Sequence, residues 1–149
     1  MAVTVATYGL TQEKVVEQVG NDVNLLTGTV KLSLHTSTYA PNRDTDDFFN
    51  DATNELAGGT GYTAGGETLA SKTITYDSAS DQVRFDAADV TWAFTASKTW
   101  RYGVIYIDTA GASTADPLYA LLTWDSDQVV STSYTLQWDP AGILYWDTT

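Results

Sequence analysis

One histidine and no cysteine narrow the covalent chemistry open to this chain. His35 closes the alternating run Thr-Val-Lys-Leu-Ser-Leu-His at residues 29–35. A period of two reads as a strand, with Val30, Leu32 and Leu34 on one face and Lys31, Ser33 and His35 on the other. Nucleophilic catalysis needs a base beside a hydroxyl or thiol, and no sequence signature supplies that pair. His35 is therefore expected on the polar, solvent-facing side of the strand, and no catalytic residue is assigned. Asp44, Asp46, Asp47 and Asp51 form the densest acidic run. Calcium is held by such carboxylates, but the order of ligands and the glycine of an EF-hand loop are missing. These acids are expected to start a helix, and no metal ligand is assigned. Asp86 and Asp89 have the residue types of a glycosidase pair, yet acidic pairs around a strand turn are commonplace.

The stretch 58–66, Gly-Gly-Thr-Gly-Tyr-Thr-Ala-Gly-Gly, holds five of the chain's 11 glycines. Read with Glu67 and Thr68 it falls one residue short of a phosphate-binding loop. Glu67 stands where that loop needs lysine, and a carboxylate repels phosphate. The dinucleotide fingerprint also fails, since Gly59 and Gly61 lack the third glycine, and a strand rather than a helix is expected next. No cofactor site follows. The cluster reads as a structural joint between a small helical insertion and a β body.

Five tryptophans and nine tyrosines are the remaining resource. Trp92, Trp100, Trp124, Trp138 and Trp146 suit a core or a subunit interface, with a sugar-stacking platform as the alternative. Phe48 and Phe49 are adjacent and cannot both enter one core. The residues expected to meet a partner are Phe48, Phe49, Tyr62, Trp92 and Trp100.

A chain of 149 residues is long enough for one domain with its own core. Its formal net charge of -12 argues against nucleic acid and against an anionic membrane surface. No run has the length of a membrane span, and the first residues lack the basic and apolar regions of a secretion signal. The chain is expected to be made in the cytosol. Only 17 % of residues are charged, as expected of strands dressed with Thr and Ser or of a surface covered by neighbouring subunits.

The elements that would position these residues are mostly strands. Alternation predicts strands at 2–6, 29–35, 72–76, 82–86, 90–94, 118–124, 133–138 and 143–146. The run at 100–108 is apolar at its centre and predicts a strand buried on both faces, the spine of the core. Turn chemistry falls at 39–42, 77–81, 125–127 and 139–142, with a loop at 111–116. Helical spacing predicts a weak helix at 12–19 and a second at 46–56, where Phe48, Phe49, Ala52 and Leu56 recur. The pattern is a mostly β, single-domain β-sandwich over residues 1–149 with one or two short helices; a closed barrel is the alternative. Residues 44–66 form the helix and glycine-rich insertion.

Several of these segments together are familiar. Thr36-Ser37-x-Tyr39-x-Pro41-Asn42-x-Asp44-x-Asp46-Asp47-Phe48, the Gly-Thr-Gly-Tyr-Thr-Ala-Gly-Gly at 59–66, and Leu69-Ala70-x-Lys72-Thr73-x-Thr75-Tyr76-Asp77 resemble a family of small accessory virion proteins of tailed bacteriophages. The likeness continues through Asp86-Ala87-x-Asp89-Val90-x-Trp92, Arg101-Tyr102-x-Val104-x-Tyr106-x-Asp108 and Gln137-Trp138-Asp139, and spans roughly residues 29–146. The segment 1–28 departs from the family pattern. The resemblance implies an accessory structural protein of a virion, on the head or on the tail. The function expected foremost is that of a non-enzymatic decoration (cement) protein of the capsid, and otherwise that of a tail or fibre module that binds host glycan or adapts another tail protein. It implies no cofactor. The partners expected are the major capsid protein, copies of itself in a homo-oligomer, or both, and neither nucleic acid nor membrane.

Overall fold

The computed structural model describes residues 3–8 and 24–147. The expected helix at 12–19 lies outside the described residues. Among the described residues ten strands run in chain order: β1 (Val3–Thr7), β2 (Thr29–His35), β3 (Glu67–Thr68), β4 (Thr73–Asp77), β5 (Gln82–Asp86), β6 (Val90–Ala93), β7 (Lys98–Asp108), β8 (Leu118–Val130), β9 (Ser133–Leu136) and β10 (Leu144–Asp147). They form a five-stranded antiparallel sheet in the order β1-β8-β7-β2-β3, a three-stranded sheet β10-β5-β4 and a β6-β9 pair. The protein is mostly β and sandwich-like, with no closed barrel among the described residues.

β7 is the middle strand of the large sheet, as its apolar centre predicts. Leu32 of β2 pairs with Ile105, and Ile105 pairs in turn with Ala120 of β8. This row lies on the face that packs against Phe85, Val90, Trp92, Leu136 and Leu144 of the two smaller sheets. The neighbouring row, Ser33–Val104–Leu121, lies on the opposite face. That face carries a second cluster with Tyr8, Tyr39, Ala52, Tyr106 and Leu118. A sheet with apolar residues on both faces is buried on both, and the segment 36–66 supplies the second cover.

The helix expected at 46–56 does not form. Its place holds one turn of 3-10 helix, Phe49–Asp51. The backbone there bonds outward instead: Phe49 N–H donates to the Asp116 carbonyl and the Asp47 carbonyl accepts from Leu118 N–H, each at 2.9 Å. The acids bind main chain too, since Asp51 Oδ2 accepts from the N–H groups of Asp47 and Phe48. Such local side-chain bonds compete with helical ones, and here the tie to β8 decides the outcome.

A second expectation is also corrected. Residues 125–127 do not reverse the chain. β8 runs through them, and the ladder slips from Trp100 opposite Gln128 to Tyr102 opposite Thr123. The Asp-Ser-Asp sequence therefore forms a bulge on one long strand, which continues to pair with the start of β7. The reversal comes at Ser131 and Thr132.

The glycine joint is held by close approach of backbone. Gly61 and Gly66 have φ of 87° and 80°. A Cβ on Gly61 would land on the Ala93 carbonyl, and one on Gly66 on the Leu32 carbonyl. Both positions need glycine for space as well as for conformation.

Candidate functional site

Ser33 and His35 are both fully buried, at 0 % exposure, where alternation had placed them toward solvent. Two-residue spacing on β2 turns them to one face, and the segment 36–66 closes over it. His35 Nδ1 donates to the Thr53 carbonyl at 2.8 Å, which leaves Nε2 to accept from Ser33 Oγ, also at 2.8 Å. The rings of Tyr39 and Phe49 flank the imidazole at 5.2 and 6.2 Å. Burial holds the His35 pKa down at about 4, partly opposed by the Thr53 bond. A hydroxyl, an oriented imidazole and a carbonyl behind it are the parts of a nucleophilic pair. Buried at 0 %, they have no surface on which to receive a substrate.

The carboxylates of Asp46, Asp51, Asp86 and Asp89 are engaged with the chain itself. Asp46 Oδ2 accepts from the Tyr39 hydroxyl and the Asn42 N–H, both at 3.0 Å. Asp89 accepts from the Trp138 N–H, and Asp86 from the Ala87 N–H. Among the described residues no three His, Cys, Asp or Glu side chains are grouped to hold a metal.

The aromatic candidates divide. Tyr62, Trp92 and Trp100 are 3 %, 1 % and 0 % exposed and belong to the chain's own core, so they offer no surface to a partner. Trp100 meets Trp124 and Tyr134 edge-on, and Trp92 stacks with Phe94. Much of the aromatic excess is therefore core. The Tyr62 hydroxyl donates to Glu55 Oε1 at 2.6 Å, and the same oxygen accepts from Gly65 N–H, which latches the glycine joint. Burial and the Glu55 carboxylate hold that phenol well above its usual range. Phe49 stacks on Tyr106 at 3.9 Å within the second cluster. Phe48 is half-buried and belongs to neither cluster.

What the sequence did not single out is the small sheet. Ile74 and Tyr76 on β4 are 44 % and 58 % exposed, and Tyr145 on β10 is 59 % exposed. Thr75, Arg84 and Tyr145 form one row across its outer face. An open groove of about 530 Å³ lies there, lined by Thr73, Thr75, Asp77, Arg84, Asp86 and Pro140. Arg84 is ion-paired with Asp77 at 2.9 Å, while its Nε is buried without a partner. The signal was present in the strand: Thr-Ile-Thr-Tyr alternates, but alternation does not say whether its apolar face is covered.

No protein-family model matches this chain, and no curated protein or solved structure does either.

Proposed function

We propose that this chain is a non-enzymatic structural protein of a tailed-phage virion, acting as a decoration protein on the outside of the capsid. Its partners are the major capsid protein and copies of itself. The resemblance over residues 29–146 supplies the virion. One observation on the molecule supports a structural role: its one hydroxyl–imidazole pair is sealed inside the fold, while Ile74, Tyr76 and Tyr145 stand exposed on one small sheet. A decoration protein draws its effect from many modest contacts repeated over a lattice, where avidity multiplies a weak single interface. Phe48, half-buried and bridged to Pro117, is the residue assigned to the capsid side.

A tail or fibre module that binds glycan is the second reading. The Arg84 groove, with carboxylates, hydroxyls and Tyr145 on the same face, is the observation that favours it. Binding to emptied, tailless capsids separates the two. Saturable binding there, reduced by Phe48→Asp, is expected for a decoration protein. Absence from such capsids together with selective glycan-array binding would replace that reading with the fibre one.

A further inference from the structure

The free edge of β4 is the strongest unexplained feature of the molecule. β4 ends the three-stranded sheet, and among the described residues no strand covers its outer side. Ile143 N–H donates to the Phe85 carbonyl on the β10 side at 2.8 Å. In an antiparallel ladder a residue turns its N–H and C=O the same way, so Phe85 faces β10 and not its β4 partner, Ile74. Ile74 and Tyr76 thus direct their main-chain groups outward, and Thr75 bonds β5. The strip Thr73-Ile74-Thr75-Tyr76 has no charged residue, proline or bulge, which are the usual devices that block an exposed edge. Its two apolar side chains overhang the inner face, beyond Phe85 and Val83, in the same rows.

We propose that β4 is a self-association edge, pairing antiparallel with β4 of a second copy about a two-fold axis through Thr75. In that register Ile74 of one copy faces Tyr76 of the other, and the reverse. Each such pair exchanges both main-chain hydrogen bonds, and an aromatic side chain lies against a β-branched one on the same face. Charge selects the register. Asp77, ion-paired with Arg84, sits at the end of the strip, so the two copies of Asp77 lie at opposite ends. A slip toward the C-terminal end of β4 would bring them together. An isologous contact closes at two copies, unlike a head-to-tail β4–β10 contact, which would propagate.

A strand pair this short buries far less than the roughly 1,200 Å² of a stable interface, so the free protein associates weakly. Two chains of net charge -12 also repel one another. Salt screens that repulsion and strengthens the contact. The inference deepens the decoration reading by naming where copies meet, but it is tested on purified protein without particles.

Sedimentation equilibrium from micromolar to millimolar protein is the experiment, at low and at high salt. The mass is expected to rise to that of a dimer, further at high salt. Mixed samples of differently labelled protein are expected to give an NMR contact between Ile74 of one copy and Tyr76 of the other. Ile74→Lys places a charge on the strip; Tyr76→Pro removes an outward N–H without touching the bonds to β5. Both variants are expected to stay monomeric and to melt cooperatively. A wild-type monomer at millimolar concentration overturns the proposal, as does association that persists in both variants or grows past a dimer. A dimer in solution that is missing from virions leaves this inference standing and removes the decoration reading. A monomer found on capsids does the reverse.

Discussion

Ser33 Oγ lies 2.8 Å from His35 Nε2, on the face of β2 that the segment 36–66 covers. The contact is a polar tie inside an apolar layer. Thr53, in the cover, holds the other ring nitrogen through its carbonyl, and the Val104 carbonyl on β7 lies 3.3 Å from the same hydroxyl. One imidazole thereby links the central sheet to its second cover. Buried polar groups that are fully bonded specify a single arrangement of the parts that meet there.

Burial of that imidazole makes stability depend on pH. The folded-state pKa of His35, about 4, lies below the ordinary 6.5, so its contribution is complete above pH 6.5 and lost as pH falls toward 4. The loss amounts to about 3 kcal/mol across that window. His35 is the chain's one histidine, so its ring proton is readily assigned by NMR. The resonance is expected to hold still through pH 6.5 and move near pH 4; an ordinary titration near 6.5 would refute the buried, neutral assignment.

Ile105 sits at the centre of β7 with 0 % exposure, between Leu32 and Ala120. Ile105→Ala is expected to cost roughly 2–5 kcal/mol in chemical denaturation, through lost burial and the cavity left behind. Amides 103–107 should be among the slowest in the protein to exchange. Fast exchange there would contradict the central placement of the strand.

Phe48 and Phe49 should separate cleanly. Phe49 stacks on Tyr106 and packs on the second cluster, so Phe49→Asp is expected to destabilise by about 2–4 kcal/mol. Phe48 belongs to neither cluster, and Phe48→Asp should leave a cooperatively folded domain with a smaller loss. Thermal melts of the two variants decide it. Equal losses would mean that both rings serve the core.

Calcium should do little. The carboxylates of Asp46 and Asp51 each accept two bonds from the chain, which fixes them as parts of a turn. Main-chain donors also hold the Asp51 pKa below the usual carboxylate range. The melting temperature is expected to stay level up to millimolar calcium, because only a ligand bound by the native state raises it. A rise of many degrees would reveal a site.

The sequence alone determined most of the strands and the spine. Period-two alternation states which residues share a face, and the apolar run at 100–108 states that one strand is covered on both sides; β7 occupies that position. Glycine chemistry marked the joint at 58–66, because only a backbone without Cβ passes the Leu32 and Ala93 carbonyls. Tertiary structure alone decided what covers each face. Nothing local distinguishes His35 under a second layer from His35 in water, or Ile74 beneath a neighbour from Ile74 on an open edge. Residues 46–56 carry helical spacing, yet Phe49 and Asp47 form their backbone bonds with Asp116 and Leu118, far along the chain. Alternation and spacing are properties of neighbours in sequence. Cover is a property of whichever distant segment arrives, and that is set by the summed burial of the whole fold.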